Sequence, residues 1–361
     1  MRKTSLLAGA QETSKKAWAM GMIVQNGRAV ALFACILGGF VAGVFIGEIW
    51  PTRALQMDVA EGVSRRGVQT HWADEKRLAV CITGQLARLE LDSKITNVFS
   101  VNAQNGWTVD ALILLSAESE AQFVNRRVPI VAQKDYPTDD SIEEALKSHV
   151  SRVKVVRVDQ PVEPVMRAEY VAGLDKWNME EGRRWARARG HVRQWFMQRE
   201  CLMHLKEMEA QNGAPYTDFI RLREDSYVYA PLRPIPDTPG HENHSLLTPM
   251  CDAWDGVNDK AATLRREAAH SYFDGPLDFF YLFGDSKVSN WTALMRPEIV
   301  IREALNWTGV HVEKVAPLDL PVITQRLTEN GRCIDTIMKM CYARFMNDSD
   351  VVKHFRRNWC T

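Results

Sequence analysis

Apolar residues fall into short runs that predict strands separated by helices. Four such runs have the length of strands and lie at 78–83 (LAVCIT), 109–116 (VDALILLS), 153–158 (VKVVRV) and 245–249 (SLLTP). Between the second and third runs, residues 141–149 have a helical pattern that begins at Ser141 as the expected N-cap. Strands that alternate with helices predict an α/β fold with a mostly parallel sheet flanked by helices.

Other segments add helices and one further strand to this prediction. A long amphipathic helix is expected over 186–211, ending at Asn212 and Gly213, with an apolar stripe that packs in the core. The run 85–91 after the first strand is expected to be helical. The apolar run 278–283 (DFFYLF) is expected to be a strand.

A polar pattern interrupts the apolar run 218–225 (DFIRLRED). In a strand, side chains alternate between faces, so Arg221, Arg223 and Asp225 share one face with Phe219, while Ile220 lies on the other face with Leu222. Buried guanidinium groups need carboxylate or phosphate partners. The strand therefore predicts either a structural ion-pair network or a site for an anionic ligand, with Asp225 at the carboxyl end where α/β sheets bind ligands.

The N-terminal part of the chain predicts a membrane anchor. A polar, cationic segment (1–28) precedes an uncharged run, 29–47, of about 19 residues, close to the length of a membrane-spanning helix. We expect a cytosolic tail at 1–28, a signal anchor at 29–50, a stem at 51–75 and a lumenal domain at 76–361. The short span favours the endoplasmic reticulum or Golgi membrane.

Cysteines and sequons agree with a lumenal domain. Of seven cysteines, Cys35 lies in the predicted span, and the others form an even set that can pair as disulfides in an oxidising compartment or remain as buried thiols. Glycosylation acceptor patterns start at Asn243, Asn290, Asn306 and Asn347, all on the predicted lumenal side.

Charge and motifs exclude several function classes. Lysine plus arginine and aspartate plus glutamate are equal at 45 each, and no reader motif is present, so nucleic acid is not an expected partner. The chain has no HExxH, CxxC or GxSxG pattern and its histidines are scattered, so neither a zinc site nor a hydrolase elbow is expected. The carboxylate at the strand end, with arginines beside it, instead suits Mg²⁺ or Mn²⁺ bound together with a diphosphate.

Three blocks carry a resemblance to a known class of enzymes. The blocks AVCITGQLARL (79–89), the run from His191 to FIRLRED (219–225), and LLTPMCDAWDGVNDKAATLRREAAHSYF (246–273) resemble uncharacterised, glycosyltransferase-like lumenal membrane proteins of plants and algae with a GT-A fold. The resemblance implies transfer of a sugar, as in a hexosyltransferase, from a nucleotide sugar to a glycan or protein acceptor. In such enzymes a DxD motif at a strand end holds a divalent metal and the nucleotide sugar.

The resemblance assigns roles to particular residues of this chain. It implies a metal site at Glu224 and Asp225 and a substrate-binding set formed by Gly84, Arg88, Arg221, Arg223, Asn258 and Lys260. Asp255 and Asp259 are the candidate bases for the acceptor hydroxyl, with a simple turn-forming role as the alternative. Arg223 stands where the motif has its first aspartate, which leaves a cation-free clamp by arginines as an alternative to Mn²⁺ or Mg²⁺. An inactive carbohydrate-binding or scaffold protein on the same fold is the alternative function.

Overall fold

The computed structural model describes residues 22–25, 28–31, 76–117, 137–158, 162–177, 179–287, 290–328, 331–334 and 341–342. Its strands are β1 (Met22–Gln25), β2 (Arg28–Ala31), β3 (Arg77–Gln85), β4 (Thr108–Ser116), β5 (Arg152–Val158), β6 (Asp218–Arg223), β7 (Ser226–Val228), β8 (Leu246–Pro249), β9 (Ala261–Arg265), β10 (Glu313–Val315), β11 (Val322–Thr328) and β12 (Gly331–Ile334). Its α-helices are α1 (Asp92–Lys94), α2 (Val101–Gln104), α3 (Asp139–Leu146), α4 (Ala168–Gly173), α5 (Glu181–Asn212), α6 (Arg266–Phe273), α7 (Gly275–Asp278), α8 (Gly284–Lys287) and α9 (Pro297–Thr308).

Contacts divide the chain into two units, with the boundary between Val68 and Gln69. In the first unit, β1 and β2 form an antiparallel pair in which Met22 is opposite Ala31. Residues 29–31 of the predicted membrane span therefore lie in a strand, and the rest of that span, 32–50, lies outside the described residues. Among the helices that the structure describes, none has the length and apolar character needed to cross a membrane.

The second unit is built on a seven-stranded, mostly parallel sheet with the order β10-β8-β9-β6-β3-β4-β5. The pairs β3/β4, β3/β6, β4/β5 and β8/β10 are parallel, and β9 runs antiparallel to both of its neighbours. This arrangement confirms the predicted α/β class and the mostly parallel sheet.

The two faces of the sheet pack in separate cores. Phe219 of β6 joins a core that contains α5, α6 and α9, whereas Ile220 and Leu222 join the core on the opposite face. The alternation predicted for this strand is therefore confirmed. A disulfide between Cys81 of β3 and Cys201 of α5 ties the sheet to the longest helix, and a second disulfide joins Cys251 to Cys341.

Some predicted elements differ from the structure. The run 278–283 is helical, not a strand, because it continues from α7, whose first turn contains Pro276, a residue pre-organised for a helix start. An apolar run this short does not distinguish a strand from a buried helix. After β3 only a 3₁₀ turn forms, at Leu86–Arg88. The N-cap of α3 is Thr138, whose side chain accepts a hydrogen bond from the Ser141 backbone.

A small second sheet follows the central strand. Its order is β12-β11-β7, and only two residues separate the end of β6 from the start of β7. The backbone N–H of Gln325 in β11 donates to the carbonyl of Asp225 at 2.9 Å. This small sheet therefore lies over the carboxyl end of β6, next to the predicted site.

Candidate functional site

The carboxyl ends of β3 and β6 lie side by side at the point where the strand order reverses. From β3 the chain passes outward to β4 and β5 on one side, and β6 pairs with β3 on the other side. Thr83 of β3 is opposite Arg223 of β6, so the residues after each strand meet at one rim. In open α/β sheets such a switch point is the usual ligand-binding crevice. We call Arg88, Arg223, Glu224, Asp225 and Arg326 the rim cluster.

Asp225 lies at the centre of the rim cluster. Arg223 donates from Nε to Oδ1 at 2.5 Å and from Nη2 to Oδ2 at 3.0 Å, and Arg326 donates to Oδ2 at 2.6 Å. A third guanidinium group, that of Arg88, lies 3.7 Å away. Burial alone would raise the pKa of Asp225, but these three cations outweigh it and hold the pKa well below its usual range.

Glu224 fills the space beside Gly84. Its carboxylate is fully buried and contacts the guanidinium group of Arg88. A Cβ atom added to Gly84, whose φ is +149°, would lie 1.7 Å from Oε2 of Glu224, so only glycine fits at this position. The Glu224 side chain therefore covers Gly84 in this conformation, and a role for Gly84 in substrate binding stays a prediction.

A divalent cation does not fit at Asp225. Both of its carboxylate oxygens accept hydrogen bonds from guanidinium groups, and Mg²⁺ or Mn²⁺ needs free oxygen ligands. A cation placed there would also lie against three positive charges. In this structure Glu224 and Asp225 therefore form an ion-pair cluster whose arrangement does not suit a divalent cation.

The predicted substrate-binding residues of the downstream loop mostly shape the loop itself. Asn258 donates from Nδ2 to the carbonyl of Cys251 at 2.7 Å and accepts from the Lys260 backbone at 2.8 Å. The Nζ of Lys260 lies 2.7 Å from Asp252 and 2.8 Å from Asp259. Arg221 is fully buried and donates to the carbonyl oxygen of Asp259.

The two candidate bases are not together. Asp259 is buried and pairs with Lys260, Gln194 and Arg223, whereas the Asp255 side chain is 86% exposed and contacts Arg296 at 3.2 Å. Burial alone would raise the pKa of Asp259, but Lys260 and Arg223 hold it below its usual range. A carboxylate with such a low pKa is a weak base, so Asp259 is not well suited to that role as placed.

The backbone of this loop is strained. Asp252, Trp254 and Asp255 have φ values of 62°, 44° and 66°, in the left-handed region that L side chains rarely adopt. A Cβ atom on Gly256 would lie 2.1 Å from the carbonyl of Glu298, so the loop is pressed against the start of α9. Strain of this kind concentrates at functional sites and is retained only where the surrounding packing fixes it.

Glu298 is a candidate base that the sequence did not reveal. It lies in the first turn of α9, with Oε1 3.9 Å from Nζ of Lys260. Burial, and after it the negative charge of Asp259, raise the pKa of Glu298 to about 8. Its position after Pro297 is typical of an ordinary first-turn acid, so no pattern in the sequence marks it.

Two further cations at the rim were also not predicted. Arg326 is 101 residues from Asp225 in sequence and reaches it only because β11 folds over the rim. Lys94 is fully buried, and its Nζ lies 3.1 Å from the carbonyl of Glu224 and 3.2 Å from the carboxylate of Glu90. Lys94 thus fixes the turn after β6, and burial lowers its pKa.

The chain matches no protein-family model and no curated protein.

Proposed function

We propose that this protein is a GT-A-type glycosyltransferase that binds the diphosphate of a nucleotide sugar through arginines at the rim cluster, without a metal ion. The observation that carries the proposal is the set of guanidinium groups at the switch point. The buried Nε atom of Arg88 has no hydrogen-bond partner, and an anionic ligand would supply the missing acceptor.

The resemblance noted in the sequence also supports a ligand site at the carboxyl ends of β3 and β6. Its first block contains most of β3 and Arg88, its second block ends with β6 and Asp225, and its third block contains the strained loop and Lys260. These three blocks, distant in sequence, meet around the carboxyl ends of β3 and β6.

The proposed ligand replaces part of the internal ion pairing. Asp225 now occupies the Nε and Nη2 donors of Arg223, so a diphosphate has to compete with this carboxylate for the arginine. Among the described residues of the rim cluster, three guanidinium groups meet two carboxylates, which leaves the cluster suited to a further negative charge.

Transfer would form a bond from an acceptor hydroxyl oxygen to the anomeric carbon and break the bond from that carbon to the diphosphate oxygen. The acceptor proton would pass to Glu298, whose pKa of about 8 is close to the pKa that a base needs at neutral pH. The arginines would stabilise the negative charge that develops on the leaving nucleoside diphosphate.

We further propose that the domain 76–361 lies in the lumen of the endoplasmic reticulum or Golgi, anchored by 29–50. The two disulfides support this, because disulfides form and persist in oxidising compartments. The acceptor would then be a glycan or a glycoprotein of the secretory pathway.

A second candidate function is a lumenal carbohydrate-binding or scaffold protein that has lost transferase activity. The burial of Asp225, which is 2% exposed and held on both oxygens, favours it, because a rim closed by its own ion pairs needs no ligand.

Incubation of the full-length chain with a panel of nucleotide sugars, in Mn²⁺ and in EDTA, separates the two functions. We expect hydrolysis or transfer with at least one donor, equal in the two conditions, and a strong loss in Glu298→Gln. Turnover that requires Mn²⁺ would contradict the metal-free clamp. An absence of hydrolysis, transfer and binding with every donor would support the scaffold function.

A further inference from the structure

Two histidines and a glutamate meet at the edge of the large sheet. One ligand atom from each of His244, His311 and Glu313 lies within 4.8 Å of the other two. The imidazole rings of His244 and His311 are stacked, with centroids 6.4 Å apart and planes at 28°. We call these three residues the edge triad.

The residues of the edge triad lie at the starts of two paired strands, β8 and β10. Glu313 is the first residue of β10 and is opposite Leu247 of β8, and His244 lies two residues before β8 begins. Because β8 and β10 are hydrogen-bonded neighbours, the sheet holds the two sides of the triad at a fixed separation.

Backbone hydrogen bonds also fix the loop that carries His244. Its N–H donates to the carbonyl of His241 at 3.0 Å, and its own carbonyl accepts from Nε of Arg265 at 3.3 Å. The N–H of Arg265, the last residue of β9, donates to Ser245 at 2.9 Å. A ligand bound here would therefore have little backbone to order.

The charges around the triad leave its carboxylate available. Within the described part of the chain, Glu313 forms an ion pair with His311, at 3.8 Å, and with no lysine or arginine. This contrasts with Asp225, whose two oxygens are both held by guanidinium groups. The triad has the metal-binding character that the rim cluster lacks.

We propose that His244, His311 and Glu313 form a Zn²⁺ site. Two imidazole nitrogens and one carboxylate oxygen are a common three-residue zinc ligand set, and a water molecule would complete a tetrahedral coordination. Imidazole ligands favour zinc over Mg²⁺, Ca²⁺ and Mn²⁺, which prefer sites made of oxygen atoms alone. The bound ion would link β10 to the segment before β8 and so stabilise this edge of the sheet.

This site has no sequence pattern because its ligands come from two distant segments. His311 and Glu313 are two residues apart, and His244 is separated from them by β8, β9 and four helices. Zinc motifs are recognised by short spacings, so the scattered histidines gave no signal.

The test is a zinc titration of the metal-free, full-length chain by calorimetry at neutral pH, with His311→Ala as the main variant. The His311 side chain is 79% exposed, so its removal leaves the core intact. We expect one zinc ion that binds at least about tenfold more weakly in His311→Ala and in Glu313→Gln.

His270→Ala is the matched control. His270 is also exposed, at 68%, and also pairs with an acid, Asp274, at 3.3 Å, but no third ligand is near it in the described structure. We expect zinc affinity equal to that of the unchanged chain in this variant. Equal affinity in His311→Ala and the unchanged chain, or no zinc uptake at all, would overturn the proposal. Neither result bears on nucleotide-sugar binding at the rim.

Discussion

Replacement of Asp225 by asparagine tests the rim cluster most sharply. Asparagine keeps the shape of the side chain but loses the charge that faces Arg223, Arg326 and Arg88 at 2.5, 2.6 and 3.7 Å. Its amide group would also place a donor against guanidinium donors. Removing one partner from a buried ion pair costs about 3–5 kcal/mol, because the remaining charge is left buried without compensation.

We therefore expect Asp225→Asn to lower the free energy of unfolding by about 3–5 kcal/mol. The assay is urea denaturation followed by tryptophan fluorescence, because urea does not screen ion pairs as guanidinium chloride does. Asp255→Asn is the matched control: its carboxylate is 86% exposed and its loss should change stability by less than about 0.5 kcal/mol.

A loss below about 1 kcal/mol in Asp225→Asn would refute the reasoning, because that value is typical of an exposed ion pair. A second readout links the variant to function. Because the guanidinium groups of Arg223 and Arg326 lose their internal partner, added pyrophosphate should stabilise Asp225→Asn more than the unchanged chain.

Three further predictions concern the rest of the domain. Between pH 4.5 and about 8 the folded protein keeps a proton on Glu298 that the unfolded chain releases. The free energy of unfolding should therefore fall as pH rises, by up to about 1.4 kcal/mol per pH unit. Glu298→Gln should remove this slope in denaturation curves recorded across that pH range. Gly256→Ala should lower the free energy of unfolding by more than about 2 kcal/mol. Gly190→Ala, in the exposed part of α5 with open space around it, should raise it by roughly 0.5–1 kcal/mol. Equal melting temperatures for the two variants would contradict this prediction. Loss of the Cys81–Cys201 disulfide, which spans 120 residues, should cost about 2–5 kcal/mol, and a melting temperature unaffected in Cys201→Ala would contradict it.

The strands of the sheet could be predicted because their apolar runs are short and continuous. β3, β4 and β6 coincide closely with the runs 78–83, 109–116 and 218–225, and the alternation in β6 placed Arg221 and Arg223 on the same face as Phe219. These features depend on local sequence alone. The prediction of a strand at 278–283 was wrong because the helical form of this run depends on the packing of Phe279 and Phe280 in the core.

The residues of the candidate site could be predicted only in part, because several of them come from segments that are distant in sequence. Arginines beside a strand-end carboxylate were expected from the sequence, and both alternatives, internal ion pairs or an anionic ligand, followed from the cost of burying charge. Arg326 and Glu298 could not be foreseen, since β11 and α9 bring them in through the tertiary fold. Asp255 looked equivalent to Asp259 in sequence, but a reversal of the backbone at Trp254 and Asp255 sends it to the surface.

The central claim, that the rim cluster binds a nucleoside diphosphate group without metal, is tested most directly by ligand-dependent thermal stability in EDTA. We predict that at least one UDP- or GDP-sugar raises the melting temperature of the full-length chain by a few degrees, since a ligand at a hundredfold excess over its Kd stabilises the native state by about 2.7 kcal/mol. The shift should be lost in Arg88→Gln and kept in Arg296→Gln, whose guanidinium lies at the exposed Asp255. No shift with any donor, or an undiminished shift in Arg88→Gln, would contradict the claim.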